Sequence, residues 1–335
     1  MNQLSRLKSI IFFIGTCALL ASPSVLLAQG GFEPIPAKRD SDLRVFIADG
    51  KSLSGLPALN RMQKGVDFSL WIAGNQFFAM PAVLGEFQKE HPEIKTIGLI
   101  TLPPGKIAQA ILKGGWSYQG HDFSMRPDLY TTVDLNHLKL LKSHGFVRRY
   151  FIYLHNRLSL MVAKGNPKHV SGIADLGRSD LRIFLPNPID EGIMSVYGEA
   201  VLKRHHLWRK LTHGKLCAGC WTAPNVYFTR VHHREIPAAI NAGHADVGLV
   251  WSTENTHAIQ KGYSVQGVNL PSLDSLKTKV NYVASVLMDG IHRKNAKLYA
   301  AFLASPKAQE EYARFGFVQA TPADFKLRLI PIRNH

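Results

Sequence analysis

The sequence predicts an α/β protein with mainly parallel sheets and flanking helices, enough chain for about two domains. Three observations point there. Short apolar runs alternate with segments of helical period, the order expected of βαβ units on a parallel sheet. The chain has 335 residues, about two domains by length. Hydrophobic residues make up 46% and charged residues 19%, enough apolar material for a packed core, which excludes global disorder. A mean hydropathy of -0.04 excludes a polytopic membrane protein.

The elements follow in order. Residues 68–73 (FSLWIA) read as a buried strand, and residues 77–91 place Phe78, Val83, Leu84 and Phe87 at helical spacing. A strand is expected at 94–100, a helix at 107–113 and a short strand at 128–131. A helix at 135–144 is ended by Gly145. A second set begins with a strand at 158–162, a short helix at 170–176 and a strand at 181–185. It continues with a helix at 193–205, a strand at 226–231, a helix at 234–242 and a strand at 247–251. The last stretch, 294–315, is helical with a break at Ser305-Pro306.

Residues 1–28 read as a secretory signal. Arg6 and Lys8 form a charged start, residues 10–20 a short apolar stretch, and Ala28 a small residue suited to cleavage. A run of this length is too short for a stop-transfer helix. A lipoprotein reading through Cys17 is poorly matched, because Gly15-Thr16 precedes it. Residues 29–42, rich in Gly, Pro and charge, read as a flexible leader. Cleavage would leave 38 basic and 24 acidic residues, a formal charge of +14. Such a balance suits an acidic partner, an anionic membrane surface or an anionic ligand.

Several segments together carry a family resemblance. Residues 295–318 (NAKLYAAFLASPKAQEEYARFGFV) resemble the C-terminal helix of periplasmic solute-binding proteins. Residues 157–168 (RLSLMVAKGNPK) look like the strand that opens the second lobe. Residues 185–203 (LPNPIDEGIMSVYGEAVLK) resemble the strand, ligand loop and helix that follow. Residues 239–255 (AINAGHADVGLVWSTEN) resemble the segment closing that lobe. Upstream, residues 72–94 and 127–134 (PDLYTTVD) resemble strands and a helix of the first lobe. No one motif is specific; their order and spacing over about 66–320 carry the likeness, and the molybdate-binding type is most similar. The resemblance implies a type II periplasmic-binding-protein fold, two lobes with a ligand cleft between them. Lobe one would be 43–150 and 275–335, and lobe two 151–274, with crossings near 149–156 and 262–282. It also implies a small inorganic anion or other small ligand, molybdate or tungstate above others. An ABC permease as partner, a periplasmic location, a monomer and no cofactor are likewise implied.

Ligands of open α/β sheets sit beyond the carboxyl ends of strands, where helix N–H groups favour anions. Five loops qualify here. In lobe one they are Gly74-Asn75-Gln76, Pro103-Pro104-Gly105-Lys106 and Thr131-Thr132. In lobe two they are Asp190-Glu191-Gly192-Ile193 and Trp251-Ser252-Thr253. The expected ligand residues are therefore Asn75, Gln76, Gly105, Lys106, Thr131, Glu191, Gly192, Trp251 and Ser252. Helix capping explains the Asn, Ser and Thr residues equally well. Asp190-Glu191 departs from the molybdate-binding type, which has small neutral residues there, and Asn75 replaces a hydroxyl residue. A carboxylate beside a desolvated dianion is repulsive by roughly several kcal/mol. Either these carboxylates face solvent or cap a helix, or the ligand is not a simple oxyanion.

Cys217-Ala-Gly-Cys220-Trp221 lacks the histidine that covalent haem requires after the second cysteine. A structural disulfide Cys217–Cys220 is expected in an exported chain. A metal-binding or metallochaperone role is the alternative, using Asp190 and Glu191 or the cysteines with His205, His206, His213, His232 and His233. The spacing His232-His233 does not fit H-x3-5-H, and surface histidines are the plainer explanation. Basic pairs are scattered without interleaved aromatics, so nucleic acid is not an expected partner. No G-x-S-x-G elbow is present and no catalytic residue is assigned, so binding rather than an enzyme activity is expected.

Overall fold

The computed structural model describes residues 33–34, 42–189, 191–230, 233–277 and 279–331. The signal segment at 1–28 with Cys17, most of the 29–42 leader, Asp190 and His232 lie outside the described residues. Within the leader, Glu33–Pro34 pairs in parallel with Trp116 and Ser117.

Among the described residues two large sheets carry the two lobes. The first sheet is ordered Val318–Gln319, Arg149–Asn156, Val280–Val286, Leu129–Thr132, Phe68–Ala73, Thr96–Leu102, Leu43–Ile47, Ser52–Ser54, with Arg328–Leu329 also on Arg149–Asn156. The second is ordered Cys220–Ala223, Val226–Phe228, Ile183–Leu185, Val247–Trp251, Leu158–Ala163, Val265–Val268. Parallel pairing is confined to three central strands of each. In the first they are Leu129–Thr132, Phe68–Ala73 and Thr96–Leu102. In the second they are Val226–Phe228, Ile183–Leu185 and Val247–Trp251. The flanking pairs are antiparallel, so both sheets are mixed rather than mainly parallel. The reason is the route of the chain. Arg149–Asn156, which the sequence reads as a crossing, is itself a strand of the first sheet. The chain passes to the second sheet at Arg157 and returns between Val268 and Val280, entering each sheet beside a strand that runs the other way.

Side-chain period assigns the strand faces. Phe68, Leu70 and Ile72 pack into one apolar cluster while Trp71 enters another on the opposite face. Val247, Leu249 and Trp251 face the first cluster, and Val250 a third. One cluster thus runs continuously from a face of the first sheet to a face of the second. Strands buried on both faces read as unbroken apolar runs, which is why these two were legible.

Helices start where the parallel strands end. Pro104 opens Pro104–Lys113, since its missing N–H is not needed in a first turn, and Gly114 closes it at φ 85°. The helix expected at 193–205 begins as a wider π-helical stretch, Ile193–Gly198, and continues as Glu199–Arg204. The C-terminal helix is divided into Arg293–Phe302 and Pro306–Arg314. No described helix is long and apolar enough to cross a membrane.

Candidate functional site

The six parallel strands end toward a small cavity between the sheets. It is lined by Ala73, Gly74, Asn75, Pro104 and Val133 of the first lobe and by Glu191, Gly192, Ile193, His233 and Trp251 of the second. Its volume of about 10 Å³ is that of roughly one water molecule, so the two lobes are closed on each other. Three substantial helical stretches begin there: Pro104–Lys113, the stretch from Ile193 to Arg204, and Ser252–Gln260.

Four of the expected residues line this space: Asn75, Glu191, Gly192 and Trp251. Asn75 donates to the hydroxyl of Tyr282. Asn156 Nδ2 donates to the same oxygen at 3.1 Å and to Thr253 Oγ1 at 3.2 Å. Gly192 lies against the first lobe; a Cβ there would stand 2.8 Å from Val133 Cγ2. The remaining five are placed behind the lining. Gln76 and Thr131 are buried, with Gln76 accepting from Tyr153 OH at 2.9 Å and Thr131 Oγ1 accepting from the Ala73 N–H at 3.2 Å. Ser252 Oγ donates to Asn156 Oδ1 at 3.2 Å. Gly105 packs near His137, and Lys106 is half-buried.

Two residues that the sequence reading did not assign to the site hold the centre: His233, left among surface histidines, and Arg234, read as the start of a helix. His233 is 2% exposed, so it is not a surface histidine. Its Nδ1 lies 2.7 Å from Glu191 Oε2 and its Nε2 lies 3.1 Å from Glu254 Oε1. An imidazole with a carboxylate oxygen at each nitrogen is satisfied when both nitrogens donate, which is the imidazolium form. Burial would lower the His233 pKa, but the charges of Glu191 and Glu254 outweigh it and raise it to about 9. Glu191 is therefore turned inward rather than to solvent.

Arg234, the next residue, reaches across the cleft. Its Nη1 donates to Asp42 Oδ1 at 2.6 Å, its Nη2 donates to the Gly74 carbonyl, and its guanidinium stands 3.7 Å over the Phe77 ring. Tyr197 OH adds a third cross-cleft bond, to the Val133 carbonyl at 2.8 Å, and burial pushes its pKa up to about 12. The signal for His233 and Arg234 was available. They follow Val226–Phe228, the sixth parallel strand, and the strand-end rule applied to five ends applies to that one too.

Cys217 and Cys220 are joined in a disulfide at the outer edge strand of the second sheet, with Cα atoms 6.1 Å apart. Both thiols are thereby withdrawn from metal ligation. His205 pairs with Asp274 at 2.9 Å instead of turning to the cysteines. Among the described residues no group of three or more His, Cys, Asp or Glu is arranged to hold a metal ion.

The fold and sequence have known counterparts. The structure resembles the periplasmic molybdate-binding protein of Azotobacter vinelandii, with a TM-score of 0.58 and 19% identity over 76% of this chain and 100% of that one. It resembles the sulfate-binding protein SubI of Mycobacterium tuberculosis, with a TM-score of 0.58 and 18% identity over 77% of this chain and 88% of the other. These likenesses establish the two-lobed type II periplasmic-binding-protein fold. A sulfate-binding protein of Synechococcus elongatus is 26% identical over 175 residues, 49% of this chain and 47% of that protein, so the match spans about half of that relative's length. The sequence pattern of bacterial extracellular solute-binding proteins matches residues 68–318, well over half of the chain, and the protein belongs to that family.

Proposed function

We propose that the chain is a periplasmic receptor, exported by its first 28 residues, that captures a small tetrahedral oxyanion between its lobes and delivers it to an ABC permease. One observation carries the reading: the helical stretches starting at Pro104, Ile193 and Ser252 open on one cavity between the two sheets. Helix starts bring N–H groups and positive dipole ends, which favour an anion without a dedicated counter-cation. Oxyanion-binding proteins among the structural neighbours support the same class. Capture works by differential affinity: a ligand touching both lobes favours the closed state. Residues 43–150 with 275–335 and residues 151–274 are the two halves of the clamp on this reading, acting as a monomer. Calorimetric titration with molybdate, tungstate, sulfate and phosphate tests it. One anion bound per chain is expected for at least one of them; no heat with any of the four would overturn it.

A further inference from the structure

A second cavity, of about 750 Å³, lies against the first sheet and shares no lining residue with the one between the sheets. That volume is in the range of small-molecule sites. Phe151, Ala284 and Val286 of the sheet line it, with Ala300 and Ala301 of the helix Arg293–Phe302 and Phe325 beyond. Leu327, also in the lining, is 63% exposed. The one neutral polar side chain of the lining is Ser285, and its hydroxyl already donates to the Arg149 carbonyl at 2.7 Å. A sugar would meet no neutral side-chain partner on these apolar walls, whereas an alkyl chain needs none.

Four cations complete the lining: Arg148, Arg149, Arg293 and Lys297. No carboxylate lines the cavity, and among the described residues none of these four forms an ion pair. Arg178, Arg182, Arg204 and Arg234, by contrast, each pair with an aspartate. Arg293 is half-buried, and its Nε is buried with no hydrogen-bond partner among the described residues, a cost that an anionic acceptor would relieve. The cations gather toward one end. Arg293 Nη2 lies 3.9 Å from Met288 Sδ, and Arg149 is bonded to Ser285, so both approach the end of the strand Val280–Val286. Spaced i, i+4, i+7 and i+8, Arg293, Lys297, Ala300 and Ala301 share one helix face, cations first and alanines after.

We propose that this cavity is a second ligand site and that it takes a free single-chain amphiphile with an anionic head, a long-chain carboxylate. The alkyl chain lies along the apolar lining, and the carboxylate accepts charge-assisted hydrogen bonds from the arginines. Capture between the lobes uses none of these residues, so the two sites stand or fall separately.

The test is calorimetric titration of the full chain with dodecanoate, kept below micelle formation, beside acetate, dodecanol and dodecyltrimethylammonium. One dodecanoate per chain is expected. Acetate lacks the chain and is expected to bind at least ~100-fold more weakly. Dodecanol lacks the charge and is expected to bind at least ~10-fold more weakly, and the cationic amphiphile not at all. Arg293→Gln is expected to weaken dodecanoate at least ~10-fold. Ala301→Trp, at an exposed helix position, fills the cavity and is expected to abolish binding while the circular dichroism stays native. No saturable dodecanoate binding, dodecanol bound as tightly as dodecanoate, or unchanged affinity in either variant would overturn the proposal. Association with phosphatidylglycerol vesicles without binding of free dodecanoate would overturn it too, and would assign the face to a membrane surface. The wild-type series decides the matter if a variant does not fold.

Discussion

His233 shows how a single buried residue ties stability to pH. Its folded pKa of about 9 lies above the ordinary histidine value of about 6.5. The stabilisation from the raised pKa is fully present below pH ~6.5 and is lost as the pH rises through about 9. A shift of this size corresponds to about 3 kcal/mol. The thermal midpoint of the wild type is therefore expected to fall between pH 6.5 and 9, while His233→Gln, lower throughout, stays flatter across that window. Parallel melting profiles for the two proteins would contradict the assignment. Residue-scale legibility was uneven for a physical reason. That Asn75, Glu191, Gly192 and Trp251 lie along the cavity was legible because strand ends and helix starts are local patterns. His233 meets Glu254 across 21 positions and Arg234 meets Asp42 across 192, and no local period reports such pairings.

At the scale of elements, punctuation was the most readable signal. Ser305-Pro306 reads as a break, and Ser305 indeed caps Pro306–Arg314, its hydroxyl oxygen accepting from the Ala308 N–H at 3.2 Å. Ser305→Ala is expected to lower stability by about 1 kcal/mol in denaturant unfolding and to leave ligand affinity untouched. A loss of affinity would mean that this helix does more than fill lobe one. The disulfide closes a loop so short that its removal by Cys217→Ser with Cys220→Ser is expected to cost at most about 2 kcal/mol. Phe68–Ala73 and Val247–Trp251 were legible because both faces are buried and the apolar run is continuous. Arg149–Asn156 contains the unbroken apolar run Tyr150–Leu154, yet the resemblance placed a crossing between lobes there. Its place in the sheet depends on pairing with Val280–Val286, more than a hundred residues away.

The whole molecule is held closed by bonds between its lobes. Arg234 and Tyr197 hold the lobes together from one side of the cleft to the other, and Gly192 allows their close approach. Arg234→Met removes the guanidinium bonds to Asp42 and Gly74 and is expected to enlarge the radius of gyration in small-angle scattering, as the open state gains population. An unchanged profile would show that the latch is not needed for the closed form. Gly192 has φ −58°, a conformation any residue adopts, so a side chain there acts through space alone.

The most direct measurement is therefore a calorimetric comparison of the wild type with Gly192→Val, using phosphate, arsenate, sulfate and molybdate. One anion per wild-type chain is expected, with affinity reduced at least ~10-fold in the variant while its circular dichroism stays native, because the added methyl groups meet Val133 and keep the lobes from closing. Equal affinity in the two proteins, or no binding to the wild type, would contradict capture between the lobes.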